Sequence, residues 1–317
     1  MQQDNCSNNS QLNNALPVYE ASSAVLGVCF VLGVPANLAV LGFLVGRWKE
    51  NNFTIKLMLS LAVSDLLNLL LLPLWIWALL HDWIFGYAAC KIVSYIEYWS
   101  LYSSILCVTL LSLQRYFQVL HPQKWSKLGD YGKTSLLCGI WILSGVFASY
   151  APVQREVGCD QYGFHYCYQN FKNLTEKVVT SLFEVLLFTV SFCLLVYFYY
   201  FLYRGVNESP FSSANRMTKL VTKIVLTYFI FGVPFTIANI FIISAALLKN
   251  DKLSAAADFA SKISTALIFL NSCVDPFLYT FSIRQLQHHG SVTETGGQTL
   301  QSPTNTLAIT GDTKAAT

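Results

Sequence analysis

Charge is what this 317-residue chain has least of: Asp, Glu, Lys and Arg together make up 12% of it, where soluble domains carry about a quarter. Hydrophobic residues make up 54%, so too little polar sequence remains to clothe a water-soluble core. Histidine is scarce as well. The five present, His81, His121, His165, His288 and His289, fall in or near the connections between apolar blocks, which leaves no metal cluster or nucleophile–base pair for an intramembrane enzyme. No internal repeat and no inverted halves are visible, which counts against a transporter. A net charge of +3 without a basic run argues against a nucleic-acid partner.

What is present is a series of long apolar blocks. Crossing about 30 Å of hydrocarbon at about 1.5 Å per residue takes roughly twenty residues. Blocks of that length run over residues 20–46, 54–80, 87–119, 133–153, 174–204, 216–247 and 256–282. Within hydrocarbon each segment must satisfy its own backbone groups, so these are expected to be helices, with no strands. The fold class predicted is an all-α membrane protein, a bundle of seven transmembrane helices.

Basic residues set the orientation, because cytoplasmic loops keep an excess of Lys and Arg. The first, third and fifth connections hold Arg47, Lys49, Lys56, Arg115, Lys124, Lys127, Lys133, Arg204, Arg216, Lys219 and Lys223 against Glu50, Asp130 and Glu208. The opposite loops and amino terminus are close to neutral. The amino terminus is therefore expected outside and the carboxyl terminus inside, in a multi-pass plasma-membrane protein. Asn5, Asn8 and Asn173 begin glycosylation sequons on the outer side; Asn52 and Asn207 begin two on the inner side that should go unused. The first residues lack a basic stretch followed by an apolar core, so the first span is expected to serve as the membrane signal. The organisation predicted is a glycosylated outer segment over 1–19, a membrane domain over 20–290 and a disordered cytoplasmic tail over 291–317, rich in Ser and Thr that could accept phosphate.

Nine cysteines divide by topology. Cys29, Cys107, Cys138, Cys193 and Cys273 lie in spans, where such side chains usually pack. Cys6, Cys90, Cys159 and Cys167 face the oxidising side, and four cysteines allow three connectivities. A Cys90–Cys167 bridge would pin the loop after the fourth span over the bundle. Cys6 with Cys159 is the pairing then left.

Four acids, Asp65, Glu97, Glu184 and Asp275, fall within spans that hold no central Lys or Arg. Ionisable groups at bilayer depth are costly and are functional candidates by default. Each must bind a cation or water, share a proton, face a wet cavity, or act as hydrogen-bonded packing.

The short motifs converge on one family. Gly33-Val34-Pro35-Ala36-Asn37 and Leu61-Ala62-Val63-Ser64-Asp65 mark the first two spans. Trp83-Ile84-Phe85-Gly86 leads into Cys90, and Gln114-Arg115-Tyr116 ends the third span. Trp141, Pro234 and Asp275-Pro276-Phe277-Leu278-Tyr279 mark the last spans. In this order and on these sides they resemble the rhodopsin-like, class A, G-protein-coupled receptors over residues 20–290. The resemblance implies a receptor rather than an enzyme, with a short cytoplasmic amphipathic helix after the seventh span. Its partners would be a heterotrimeric G protein, arrestin through the phosphorylated tail, and membrane lipids. Arg115 and Tyr116, with Tyr200 and Tyr279 facing the arginine, and the bends at Pro234 and Pro276 would form the switch. Asp65, Ser104, Asn271, Ser272 and Asp275 match the family's buried sodium pocket, with sodium as an allosteric ligand and no other cofactor. Four positions depart from the pattern. Gln114 replaces an acid, and Ala214 stands where some relatives carry one. Phe192 stands for a span-five proline, and Gly232 for a tryptophan. Without the acids Arg115 lacks its resting ion pairs, and appreciable ligand-free signalling is expected.

With an outer segment of only about twenty residues, the ligand must enter the bundle or touch the loops. Cys90-Lys91-Ile92-Val93-Ser94-Tyr95, Ser100-Leu101-Tyr102, Arg155, Phe183-Glu184 and Asn239 resemble the leukotriene-type chemoattractant receptors. That likeness implies a small lipid ligand, with Arg155 clamping its carboxylate and Glu184 and Asn239 meeting chain hydroxyls. Tyr98, Tyr102, Phe183 and Phe235 would be aromatic walls, although each also suits ordinary helix packing. Glu97 falls seven residues after Cys90, where amine receptors keep an aspartate. A chemoattractant peptide or amine is therefore the competing ligand, and a non-signalling receptor the competing role.

Overall fold

The computed structural model describes residues 9–48, 52–159, 165–207 and 212–297. Its helices, in chain order, are α1 (Asn9–Gly46), α2 (Phe53–Leu69), α3 (Leu72–Leu80), α4 (Gly86–Leu120), α5 (Pro122–Lys127), α6 (Gly129–Ala148), α7 (Leu174–Asn207), α8 (Ser212–Leu248) and α9 (Asp251–Gly297). Among the described residues, seven stretches are long and apolar enough to cross a membrane: Glu20–Gly46, Phe53–Leu80, Gly86–Leu120, Gly129–Gln154, Leu174–Arg204, Leu226–Leu248 and Asp251–Phe277.

Local chemistry explains the breaks. The second span is two helices because Pro73 sits in the first turn of α3. Lacking an N–H and crowding the preceding turn, it interrupts the ladder at Leu70 and Leu71. Asn52 caps α2, its side chain accepting from the Thr54 amide at 3.0 Å. Gly86 begins α4 at φ +81°, a conformation that favours glycine, and the Trp83 indole donates to its carbonyl at 2.9 Å.

The helices touch through a few buried polar bonds. Asn37, fully buried, donates to the carbonyls of Gly33 and Ser272, each at 3.0 Å, and so ties the first span to the seventh. The Trp141 indole donates to the Ser60 hydroxyl at 2.7 Å, joining the fourth span to the second. At Gly33 a Cβ would stand 2.7 Å from Leu69 Cδ1 and 2.8 Å from the Cys273 sulfur. Any larger residue there would have to push the ends of these side chains aside. Large apolar side chains such as Val31, Ile142 and Val190 are exposed on the outer surface, as a lipid-facing bundle requires.

One expectation needs correction. The loop after the fourth span is not strand-free: β1 (Arg155–Cys159) and β2 (His165–Gln169) pair antiparallel with Val157 opposite Cys167. The hairpin lies outside the long apolar blocks, where backbone groups need an inter-strand partner. After the seventh span α9 runs on as helix to Gly297, through Gly290. The helical backbone thus enters the segment expected to be disordered from residue 291.

Candidate functional site

Cys90 near the start of α4 and Cys167 in β2 are disulfide-bonded, with Cα atoms 5.6 Å apart and a separation of 77 positions in sequence. The bond fixes the hairpin over the bundle, helped by the Trp83 amide donating to the His165 carbonyl at 2.9 Å. The Cys6 pairing lies outside the described residues, as do Asn5 and Asn8. Asn173 is exposed and accepts from the Glu176 amide at 2.7 Å.

Beneath the hairpin a polar network crosses three spans. The Tyr150 hydroxyl, at the end of the fourth span, donates to Glu184 Oε1 in α7 at 2.5 Å, and Tyr102 in α4 shares a 2.5 Å bond with the same phenol. Glu184 lies in the buried interior of α7, with Asn239 beside it. Arg155 begins β1 directly after the fourth span. Its guanidinium is turned inward to the Tyr98 hydroxyl and stands in the field of Glu97 and Glu184. The outward alternatives, Glu156 and Glu176, instead accept from the side chains of Asn170 and Gln154.

Two cavities open here. One is lined by Gln169, Thr180, Ser181, Glu184, Phe235 and Asn239 among others. The other takes in Asn68, Glu97, Tyr98 and Phe235. Tyr102 and Phe183 stand behind them rather than in them. Phe183 packs edge-on against Phe147, Tyr150 and Tyr102 at centroid distances of 5.4, 6.1 and 6.1 Å. Tyr102 is 1% exposed. These two are pieces of an aromatic cluster that positions Tyr150 and Glu184.

A further cavity runs from Phe235 to Asp65, Ser104, Asn271 and Ser272. The Ser272 hydroxyl lies beside Asp65, and Asn271 donates to Asp275 Oδ2 at 3.0 Å. Both acids are buried, and Asp65 Oδ2 has no hydrogen-bond partner. This all-oxygen set suits a hard monovalent cation in chemistry. The missing tryptophan is explained in the wall of this cavity. A Cβ on Gly232 would collide with Phe188 Cε2, because the Phe188 ring of α7 occupies the notch. Phe188 stacks on Tyr228 at 5.0 Å, and Phe192, at the absent proline's position, on Phe229 at 5.0 Å.

At the end of the bundle away from the hairpin, Arg115 has no acid among its hydrogen-bond partners within the described residues. Its Nη2 donates to the Thr54 hydroxyl at 3.1 Å and its Nη1 to Gln118 Oε1 at 3.1 Å. Gln114 donates to the same Thr54 oxygen at 2.7 Å. Sequence reasoning missed Thr54; its signal was a hydroxyl in the first turn of span two, directly after a capping asparagine. Tyr116 packs against Phe198 at 5.3 Å and contacts Phe201 and Tyr197. Tyr200 is 56% exposed and rests on Phe201, so it does not face Arg115 as expected. The Tyr279 side chain lies outside the described residues. Pro234 and Pro276 sit inside α8 and α9.

Comparison with known proteins agrees with this architecture. The family model of the 7 transmembrane receptor (rhodopsin family) matches residues 36–279. The chain is 29% identical over 266 residues to leukotriene B4 receptor 1 of Homo sapiens, covering 80% of this chain and 74% of that one. It is 27% identical over 278 residues to G-protein coupled receptor E1 of equine herpesvirus 2 (strain 86/87), covering 82% and 70%. It is 29% identical over 271 residues to the type-1 angiotensin II receptor of Bos taurus, covering 80% and 75%. Seven membrane-length helices, the disulfide-anchored loop, Arg115 at the end of the third span away from that loop and a match over most of the chain identify it: this protein belongs to the rhodopsin family of seven-transmembrane receptors, and it is a receptor, not an enzyme.

Proposed function

We propose that this receptor takes an extracellular lipid mediator of the leukotriene type into the cavities beneath the β1–β2 hairpin and activates heterotrimeric G proteins through Arg115. The observation that carries the reading is Arg155, held at the rim yet turned inward to Tyr98 rather than outward to the loop acids. A guanidinium in that position presents paired donors to a carboxylate. Below it, Glu184 and Asn239 line a cavity with Thr180 and Ser181, which suits hydroxyls along an otherwise apolar chain. The similarity to leukotriene B4 receptor 1 supports the same class.

The amino terminus is assigned to the outside by the loop charges, and the Ser- and Thr-rich tail to arrestin. Glu97 and Glu184, both close to Arg155, favour a second reading, a cationic peptide. Relatives such as the C-C chemokine receptor type 8 of Mus musculus keep that alternative in view. Saturation binding of a labelled dihydroxy fatty acid to wild type and Arg155→Ala separates the two. Submicromolar binding weakened at least tenfold in the variant supports the lipid. Binding of basic peptides alone, lost in Glu97→Gln, overturns it.

A further inference from the structure

Away from the cavities, two thiols meet between the first and seventh spans. Cys29 in α1 and Cys273 in α9 are both free and both buried, at 2% and 7% exposure. The Cys273 thiol donates to the Cys29 carbonyl at 3.1 Å, and the two side chains lie within hydrogen-bond reach of each other. The seam that holds them is built into α1. Cys29, Gly33 and Asn37 are spaced four residues apart and so share one stripe of the helix. Gly33 leaves the notch in which the Cys273 sulfur sits, 2.8 Å from where a Cβ would stand. One turn further, Asn37 donates to the Ser272 carbonyl at 3.0 Å, which fixes the residue beside Cys273. Leu26, Leu69, Leu72 and Phe269 pack around the pair, while Val28 and Leu32 on the same stretch of α1 are exposed to the surrounding lipid.

We propose that Cys29 and Cys273 are a modification site: a hydroperoxide on a membrane acyl chain oxidises them to a disulfide, which clamps the first span to the seventh just before the bend at Pro276. The oxidant is apolar because the thiols are walled by hydrocarbon side chains and the open side of α1 faces lipid. In the first step the Cys29 sulfur takes the terminal oxygen of the hydroperoxide. The O–O bond breaks, an S–O bond forms, and the thiol proton passes to the departing oxygen. The products are a sulfenic acid and a lipid alcohol. As that proton leaves, the Cys273 S–H donates to the Cys29 sulfur and steadies its charge. In the second step the Cys273 sulfur attacks the sulfenic sulfur, the S–OH bond breaks, and water leaves with the Cys273 proton. In sum, two thiols lose two electrons and two protons, and one hydroperoxide becomes one alcohol and one water. Cys107, also buried, lies 3.2 Å from a hydroxyl, that of Ser60, rather than from a thiol, and serves as the contrast.

The probe is phosphatidylcholine carrying a linoleoyl hydroperoxide, with the corresponding hydroxy lipid as a body of similar shape and no oxidising power. Full-length receptor is held in nanodiscs of each. After incubation the free thiols are blocked, and the digested receptor is read by mass spectrometry with and without a membrane-permeant phosphine. The hydroperoxide lipid is expected to give roughly tenfold or more Cys29–Cys273 linked peptide than the hydroxy lipid. The phosphine returns both thiols, and Cys107 stays reduced throughout. The linked receptor unfolds at a higher temperature, because the bond joins residues 244 positions apart in sequence. Cys29→Ser and Cys273→Ser each lose both the linked peptide and the rise in midpoint, which separates the bond from a general effect of oxidised lipid. Equal linkage in the two lipids overturns the proposal. So does a disulfide from either cysteine to a different one, sulfinic acid on both thiols without a link, a link with no rise in midpoint, or a rise that persists in either variant.

Discussion

Thr54 carries more of the inner switch than its size suggests. Its hydroxyl accepts from both Gln114 and Arg115, a neutral substitute for the ion pair that an acid at 114 would make. Neutral hydrogen bonds hold a guanidinium less firmly than a carboxylate does. Replacing Gln114 with Asp should therefore lower ligand-free signalling several-fold, and Thr54→Ala should raise it, both measured as second-messenger output per surface receptor. No basal signal above vector in wild type would remove the premise. Gly232 is the second residue whose environment decides its role. Gly232→Trp drives an indole into the Phe188 ring, and overpacking of this kind costs about 1–3 kcal/mol or more. The expected result is a large loss of folded receptor at the cell surface, partly restored when Phe188→Ala is added. Equal loss in the double variant would place the clash elsewhere.

The elements differ in how plainly the sequence announces them. Seven apolar blocks of membrane length predict the seven spans with ends close to those observed, because hydrocarbon thickness and backbone satisfaction leave little freedom. The Cys90–Cys167 bond is one of three pairings that the outer cysteines allow. Other features are less plain: one rests on a single local cue, and the rest on contacts that no run of residues displays. The break between α2 and α3 follows from Pro73, a local cue inside an apolar run. The hairpin pairs segments that are individually too short to read and becomes evident only with the disulfide that holds it. The phase of Tyr200 depends on how α7 is rotated against α4, and Gln114 and Arg115 meet Thr54 across sixty residues or more of sequence. Tyr102 and Phe183 suit cavity walls by sequence, yet they build the cluster behind Glu184. An aromatic residue's sequence position does not say which side of a helix a cavity lies on. Breaking the bond with Cys167→Ser should cost about 2–4 kcal/mol. A fall in surface receptor and ligand affinity together is expected, read by flow cytometry and saturation binding; unchanged affinity would show that the hairpin does not form the site's roof.

Across the whole molecule, the proposed mechanism couples the cavities at Arg155 and Glu184 to Arg115 at the opposite end of the bundle, through the aromatic stack of Phe188, Tyr228, Phe192 and Phe229. Topology is tested by Asn173→Gln, which should shorten the glycan ladder on a denaturing gel; an unchanged ladder would contradict an outer hairpin face. The central claim, lipid entry coupled to G-protein activation, is tested most directly with purified receptor in nanodiscs, a heterotrimeric G protein and a dihydroxy fatty acid, measured as nucleotide exchange. The predicted result is ligand-stimulated exchange in wild type that falls at least tenfold in potency in Arg155→Ala while ligand-free exchange stays the same. Exchange that no such lipid raises, or that Arg155→Ala leaves equally sensitive to it, would contradict the account.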